Sequence, residues 1–268
     1  MSQKIAFIGA GRMASAIVKG LLEASLFSAS DIYCTCGNDA TGIKLSEATG
    51  IQFVENLEPH IEKIDFLVLA CKPQQLPDLE LPFSDKLKHL TILSILAGTP
   101  IHKLRQAFPL AQNIIRSMPN TPGQIGEGVT AYAPEKPLSN SDTSRIESIL
   151  GALGSVYCVS ESQLDAVTAI SGSGPAYVFE FISALTESGI EAGLEAELAQ
   201  ALAEKTVLGS SLLLKESELS PDALRDAVTS PGGTTEAALK VLNEVNFRAM
   251  IQTAVMKAKA RSQELAQN

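Results

Sequence analysis

The first fifteen residues, MSQKIAFIGAGRMAS, restrict the possible folds more than any other stretch. Residues 4–8 form a short apolar run that reads as a buried strand. From Ala14 onward Ile17, Val18, Leu21 and Leu22 share one helical stripe. Between strand and helix stands GAGRMA. A strand, a glycine turn and a helix in immediate succession are the setting in which G-x-G-x-x-G/A binds a dinucleotide. Gly9 permits the tight turn, Gly11 lets backbone approach a pyrophosphate, and Ala14 keeps helix and strand close. The first N–H groups of the helix, at the positive end of its dipole, then face the phosphates. An ordinary strand-turn-helix corner is the structural alternative.

Strand and helix signals go on alternating through about residue 160, which predicts a doubly wound sheet. Residues 31–36 (DIYCTC) make the second strand, closed by Gly37, Asn38 and Asp39. In NAD-preferring folds an acidic residue about 20 positions past the glycines, at the carboxyl end of this strand, binds the adenosine ribose. That end here holds Thr35, Cys36, Gly37 and Asn38, whereas Asp31 is at the opposite end and Asp39 lies beyond the turn. A 2′-phosphate would meet Thr35, Asn38 and local N–H groups without a repelling carboxylate. NADP(H) is therefore favoured, with NAD(H) as the alternative. No arginine stands in the turn, and Arg12 is the nearest basic candidate; a plain exposed helix arginine is its simpler reading.

A helix over 41–49 and a strand over 51–54 lead to Asn56, whose amide suits a ribose or a helix N-cap equally. Residues 65–70 (DFLVLA) read as a fully buried strand that runs into Ala70, Cys71, Lys72 and Pro73. Pro73 turns the chain out of the sheet, at the kind of carboxyl end where an open α/β sheet holds its ligand. Lys72 faces either cofactor or solvent there. Residues 91–96 (TILSIL) make a fifth strand, closed by the small-residue turn Ala97, Gly98, Thr99 and Pro100, where a nicotinamide needs close backbone approach. A helix over 101–107, a strand over 113–116, a polar loop over 117–123, an antiparallel return strand over 129–133, a helix over 142–150 and a closing strand over 156–159 complete the series.

Strand signals vanish from Glu161, and an all-α segment follows. The predicted fold class is thus an α/β N-terminal Rossmann-type, mostly parallel sheet over 1–160, followed by an all-α dimerisation domain over 161–268. SGSGPAYVF (residues 171–179) sets two glycines and a proline within a helical pattern. Interior costs are about 1 kcal/mol for each glycine and about 3 for the proline, so either close helix packing at a kink or a passing backbone or cofactor must compensate. Residues 196–214 are apolar or small nearly all round, which requires burial on most faces. Interlocking helices of two subunits would supply it. Residues 229–236 (TSPGGTTE) run glycines straight into a helix. Successive N–H groups at Gly233, Thr234 and Thr235, with the hydroxyls of Ser230, Thr234 and Thr235, would trap a small anion such as a carboxylate. A plain N-cap by Thr234 or Thr235 is the alternative.

Composition narrows the partners. The 268-residue chain is 45% hydrophobic and 19% charged, with a formal charge of −9. An acidic surface disfavours nucleic acid and anionic membrane. The longest strongly apolar run, 66–71, is too short to span a bilayer, and no secretory signal is readable. The four cysteines (Cys34, Cys36, Cys71, Cys158) are scattered and poor in zinc-site character, as expected of reduced thiols in a cytoplasmic protein. His60, His89 and His102 lie away from every candidate site, so hydride transfer with a histidine base is disfavoured. No metal site is expected. Hydroxyls and backbone amides suit a substrate that already carries a positive nitrogen.

FIGAGRMA, LACKPQ, IIRSMPNTP, DAVTAISGSGPAYVFEFISAL and VTSPGGTTEAAL, in this order and spacing, resemble the pyrroline-5-carboxylate reductase family over nearly the whole chain. The resemblance implies reduction of the small anionic imine 1-pyrroline-5-carboxylate to proline with NADPH or NADH, the last step of proline biosynthesis. It implies an N-terminal Rossmann domain and C-terminal helices that interlock into a homodimer; some members build larger homo-oligomers. By position, the implied cofactor residues are Ile8, Gly9, Ala10, Gly11, Arg12, Met13, Thr35, Cys36, Asn38, Asn56, Ala70, Cys71, Lys72, Pro73, Ala97 and Gly98. The implied substrate residues are Ser230, Gly232, Gly233, Thr234, Thr235 and Glu218, with the Thr235 hydroxyl on the ring nitrogen as the catalytic contact. The nicotinamide is expected near Lys72, Ala97 and Asn120. A related hydroxyacid or imine reductase, and a non-catalytic NADP-binding sensor, are the rival readings.

Overall fold

The computed structural model describes residues 3–37, 39–77, 79 and 84–267. The chain forms two compact units, Met1–Ser173 with Ala258–Asn268, and Gly174–Lys257. In the first, β1 (Ile5–Ile8), α1 (Arg12–Glu23), β2 (Ile32–Thr35), α2 (Thr41–Thr49), β3 (Gln52–Phe53), β4 (Phe66–Leu69), β5 (Thr91–Ser94), α3 (Ile101–Ala107) and β6 (Asn113–Met118) follow in the order the sequence predicts, with only 3-10 turns described between β3 and β4 and between β4 and β5. β7 (Gly128–Pro134), α4 (Asn140–Gly151) and β8 (Gly154–Cys158) follow.

The eight strands lie in the order β3-β2-β1-β4-β5-β6-β7-β8. β1 to β6 are parallel, β7 returns antiparallel to β6, and β8 runs parallel to β7. β1 has no polar face because the sheet is covered on both sides. Ile5 and Phe7 enter one core with α1, α2 and α4, while Ala6 and Ile8 enter the other with α3. Full burial of each such large side chain contributes about 1.5–3 kcal/mol. After β3 the chain returns to the other side of β1 to form β4, so the strand order reverses at β1 and β4. That reversal is where doubly wound sheets open a crevice.

At the opposite end of β1, Lys4 Nζ pairs with the buried Asp31 at 3.0 Å, and the Lys4 N–H donates to Asp65 at 2.8 Å. Asp31 is thus held at the strand's amino end, away from the crevice. Cys34 is buried within β2, and burial pushes its thiol up to about 11.

SGSGPAYVF is not a helix interior. α5 (Leu164–Val167) passes into a wide π turn over Thr168–Gly172, closed by the Ser173 N–H on the Thr168 carbonyl at 2.8 Å. α6 (Gly174–Glu191) starts afresh, so Pro175 sits in a first turn, where its missing N–H has no intrahelical bond to lose. The expected proline penalty is avoided. Gly172 packs toward the Met118 side chain at the end of β6.

In the second unit α6 packs against α7 (Ala196–Glu216), close enough that a methyl on Gly189 would come within 3.1 Å of Ala199 Cβ. α8 (Pro221–Ala227), α9 (Thr234–Glu244) and α10 (Phe247–Gln267) complete the chain. The end of α10 belongs to the first unit. There Ser262 Oγ donates to Asp165 at 2.9 Å, and Leu265 lies over Gly98. Arg116, buried within β6, pairs with Asp165 at 3.2 Å and with Glu161 at 3.4 Å. Glu161 also accepts the Ile101 N–H at 2.7 Å, satisfying the start of α3.

Candidate active site

The crevice at the carboxyl ends of β1, β2 and β4 is a cleft of about 550 Å³. Its floor is the glycine turn. Gly9 has φ +102°, and a Cβ there would stand 2.5 Å from the Ala70 carbonyl, so only glycine lets the turn after β1 lie against the end of β4. The Gly9 N–H donates to the Thr35 carbonyl at 2.8 Å, which ties the turn to β2. Gly11 is different. Its backbone is extended (φ −71°, ψ −174°), and a Cβ there would meet nothing within 4 Å. A methyl would simply fill the mouth of α1. No side chain caps α1, and its first bond runs from Ser15 to Gly11, leaving the N–H groups of Arg12, Met13 and Ala14 without helical acceptors. Free donors at a positive dipole end, with open space above a glycine, fit the pyrophosphate of a dinucleotide.

Of the expected cofactor residues, Ile8, Gly9, Ala10, Gly11, Thr35, Cys36, Asn56, Ala70, Cys71 and Lys72 line this cleft. Arg12 is exposed and lines an adjoining groove. Met13 packs against the core instead. Pro73 opens a short 3-10 turn, in which the Lys72 N–H donates to Gln75 Oε1 at 2.9 Å. Ala97 and Gly98 lie outside the cleft lining, with Ala97 exposed and Gly98 buried at φ +66° under Leu265. Asn38 lies outside the described residues. Asn120, expected near the nicotinamide, uses its Oδ1 to accept the Val129 N–H at 2.9 Å and so fixes the turn into β7.

Two details revise the expected ribose end. The Thr35 hydroxyl donates to the Glu55 carbonyl at 3.3 Å, so its proton is not directed at a ligand. Asp39, read as lying beyond the turn, lines the cleft together with Glu55. Its carboxylate accepts the Thr41 hydroxyl and N–H. Those bonds, with the nearby Lys72 ammonium, hold it below the usual carboxylate range. Asn56 also stands here, and its Oδ1 accepts the Glu58 N–H at 2.9 Å, leaving the Nδ2 donor for a ribose. The sequence reading missed Thr41 and Lys44, although their i, i+3 spacing at the start of α2 puts them on one face.

The second constellation forms by itself in the other unit. Gly232 has φ +71°, and a Cβ on Gly233 would come within 2.9 Å of the Ser230 carbonyl, so the loop into α9 needs both glycines. The Gly233 N–H bonds that carbonyl at 3.0 Å and the Gly232 N–H bonds Glu236 Oε2 at 2.7 Å. The N–H groups left free to meet an anion therefore begin one residue later than expected. They are the N–H groups of Thr234, Thr235 and Glu236, since the first helical bond runs from Ala237 to Gly233. Thr235 is half-buried, and Ser230, Thr234 and Glu218 are exposed.

A glycine-floored crevice at the strand-order reversal of a parallel sheet defines the first unit as a dinucleotide-binding domain of the Rossmann class. Residues 4–98 match a family model described as NADP oxidoreductase, coenzyme F420-dependent, and residues 161–265 match one described as pyrroline-5-carboxylate reductase dimerisation. A pyrroline-5-carboxylate reductase of Synechocystis sp. is 38% identical over 265 residues, 99% of each chain. The solved pyrroline-5-carboxylate reductase of Coxiella burnetii superposes with a TM-score of 0.92 at 34% identity over 99% of both chains. The pyrroline carboxylate reductase of Plasmodium falciparum, solved with NADP bound, gives 0.84 at 29% identity over 98% of both. The chain belongs to the pyrroline-5-carboxylate reductase family.

Proposed function

We propose that this protein reduces 1-pyrroline-5-carboxylate to L-proline with NADPH, and with NADH as an alternative donor, the last step of proline biosynthesis. The observation that carries the reading is the glycine turn, with Gly9 forced against Ala70 and Gly11 open to the cleft. NADPH held in the cleft would supply a hydride for the imine carbon, the C=N electron pair passing to the protonated nitrogen to leave a neutral amine and NADP+. The protein's part is to hold and orient. The first N–H groups of α1 grip the pyrophosphate, and Asn56 and the end of β2 take the adenosine ribose. The loop Ser230, Gly232, Gly233, Thr234 and Thr235 grips the substrate carboxylate, mainly through the N–H groups of Thr234 and Thr235. The Thr235 hydroxyl hydrogen-bonds the ring nitrogen, and Glu218 lies on the substrate side. Correct placement alone can lower the barrier by about 7–11 kcal/mol. Loss of reduced-nicotinamide absorbance on adding pyrroline-5-carboxylate, with proline as the product, tests the reading. No oxidation at saturating cofactor would refute it.

The functional division we propose is a dinucleotide domain over 1–160 and a helical dimerisation and substrate domain over 161–268. The helices support a homodimer. α6 has no buried residue, and α7 buries only Ala199 and Ala203 while Leu208, Leu212 and Leu213 stay about half-exposed. Such a surface needs a covering partner, and a second copy of the chain is the one proposed, with larger homo-oligomers built from dimers. Light scattering during dilution checks this, and a folded monomer at low micromolar concentration would refute it. A cytoplasmic location is proposed in keeping with four free cysteines. Among the described residues no helix is long and apolar enough to cross a membrane.

A further inference from the structure

A groove of about 490 Å³ runs between α1 and α2 and shares Ala10, Gly11 and Thr41 with the dinucleotide cleft. Its charged residues are Arg12, Lys19 and Lys44, with no acid among them. None of the three has an ion-pair partner among the described residues. In a chain of net charge −9 this is a local reversal of sign. The cleft beside it has the opposite balance, with Asp39 and Glu55 against Lys72.

The position of the groove gives it a ligand. A pyrophosphate on the α1 N-terminus and a ribose at the end of β2 place the ribose 2′ position between the starts of α1 and α2. The groove opens there, at Gly11 and Thr41. Helical side chains lean toward the N-terminus of their helix, which brings Arg12 and Lys44 to this mouth. Lys19 is seven residues beyond Arg12, about 10 Å farther along α1. Within the cleft the ionised Asp39 repels a second phosphate, and the Thr35 hydroxyl proton is bonded elsewhere. Lys72, the cation in the cleft lining, already stands near Asp39, so the uncompensated positive charge open to a 2′-phosphate is in the adjoining groove.

We propose that Arg12 and Lys44 bind the 2′-phosphate of NADP(H) and set the preference over NAD(H), with Asp39 as the opposing charge. The inference rests on the reading of the cleft as an NADP(H) site. The turn after β2, where such a phosphate is expected, then supplies the repulsion, and the helix groove supplies the binding.

Dissociation constants of NADPH and NADH, measured by calorimetry on the wild type, Arg12→Ala, Lys44→Ala and Lys19→Ala, test it without turnover. Loss of one charge-assisted bond to phosphate predicts at least about tenfold weaker NADPH binding for Arg12→Ala and for Lys44→Ala. NADH binding should move by no more than about threefold, the size of a screened residual field. Lys19→Ala should leave both nearly unchanged. 2′,5′-ADP should bind the wild type more tightly than 5′-AMP does and lose that advantage in the Arg12→Ala/Lys44→Ala double variant, while the affinity for 5′-AMP is the same in both. All the substituted side chains are exposed, so a matching far-ultraviolet spectrum and melting point separate lost binding from lost fold. Equal weakening of both cofactors, no weakening, or a Lys19→Ala effect as large as that of Lys44→Ala overturns the inference. A wild type that binds neither cofactor overturns the reading of the cleft instead.

Discussion

Alanine at Gly9 and alanine at Gly11 should fail in opposite ways. At Gly9 the backbone sits at φ +102°, a conformation that costs a side-chain-bearing residue about 1–3 kcal/mol. The new Cβ would also lie 2.5 Å from Ala70 carbonyl carbon and oxygen, both main-chain atoms that cannot swing aside. Separating the ends of β1 and β4 adds about 1–3 kcal/mol of overpacking. The sum, about 2–6 kcal/mol, is a large part of the 5–15 kcal/mol typical of a folded protein. At Gly11 the extended backbone accepts alanine and the Cβ meets nothing within 4 Å. The stability change there should stay within about 1 kcal/mol, the difference between glycine and alanine as an N-cap. Its methyl occupies the space assigned to the pyrophosphate, so NADPH binding should weaken at least about tenfold, or 1.4 kcal/mol. Urea unfolding followed by circular dichroism reads the first quantity and calorimetric NADPH titration the second. A Gly9→Ala protein as stable as wild type, or a Gly11→Ala protein that binds NADPH normally, would refute the assignment of floor and mouth.

Thr235→Ala should lower turnover more than about tenfold, about 1.4 kcal/mol of barrier, while calorimetry shows NADPH binding intact; undiminished turnover would remove the hydroxyl from the chemistry. Arg116→Met removes the buried cation from between the half-buried Asp165 and the more exposed Glu161, whose side chains are 16% and 38% accessible. Stability should fall by about 3 kcal/mol, the lower end for broken buried pairs because Glu161 is screened, and Asp165→Asn in the same protein should restore part of it in urea titration. Cys34 has its ionisation raised from 9.0 to about 11 by burial. Its contribution is fully present below pH 9 and is lost as pH rises toward 11, because the unfolded thiol ionises first. Unfolding midpoints of Cys34→Ser against wild type should therefore converge above pH 9, and iodoacetamide should label exposed Cys158 well before Cys34.

What could be read from the sequence was what neighbouring residues decide. The β1–α1 turn is a local structure, so KIAFIGAGRMA specified strand, turn and helix without reference to the rest of the chain. The all-buried pattern of residues 65–70 likewise announced a central parallel strand. SGSGPAYVF was misread because periodicity carries through a π turn; the break at Ser173 is a matter of hydrogen-bond register, which apolar spacing does not record. The free N–H groups of the loop into α9 were placed one residue early because Gly233 turns its N–H onto Ser230, a detail of loop geometry. Asp39 was set beyond the turn and Lys44 was passed over, because only the folded chain shows which loop lines the cleft and which helix face lines the groove beside it. The Asp165–Ser262 bond joins residues 97 positions apart, and no local pattern marks either one.

The return of α10 to the first unit bears on how this chain is made. Ser262 and Leu265 are translated after everything in the second unit, yet they complete the packing around Asp165 and the turn at Gly98. Until Ser262 and Leu265 have themselves left the ribosomal exit tunnel, Asp165 lacks its serine and Gly98 is uncovered. The packing of the first unit is thus completed only after the whole of the second unit has been synthesised.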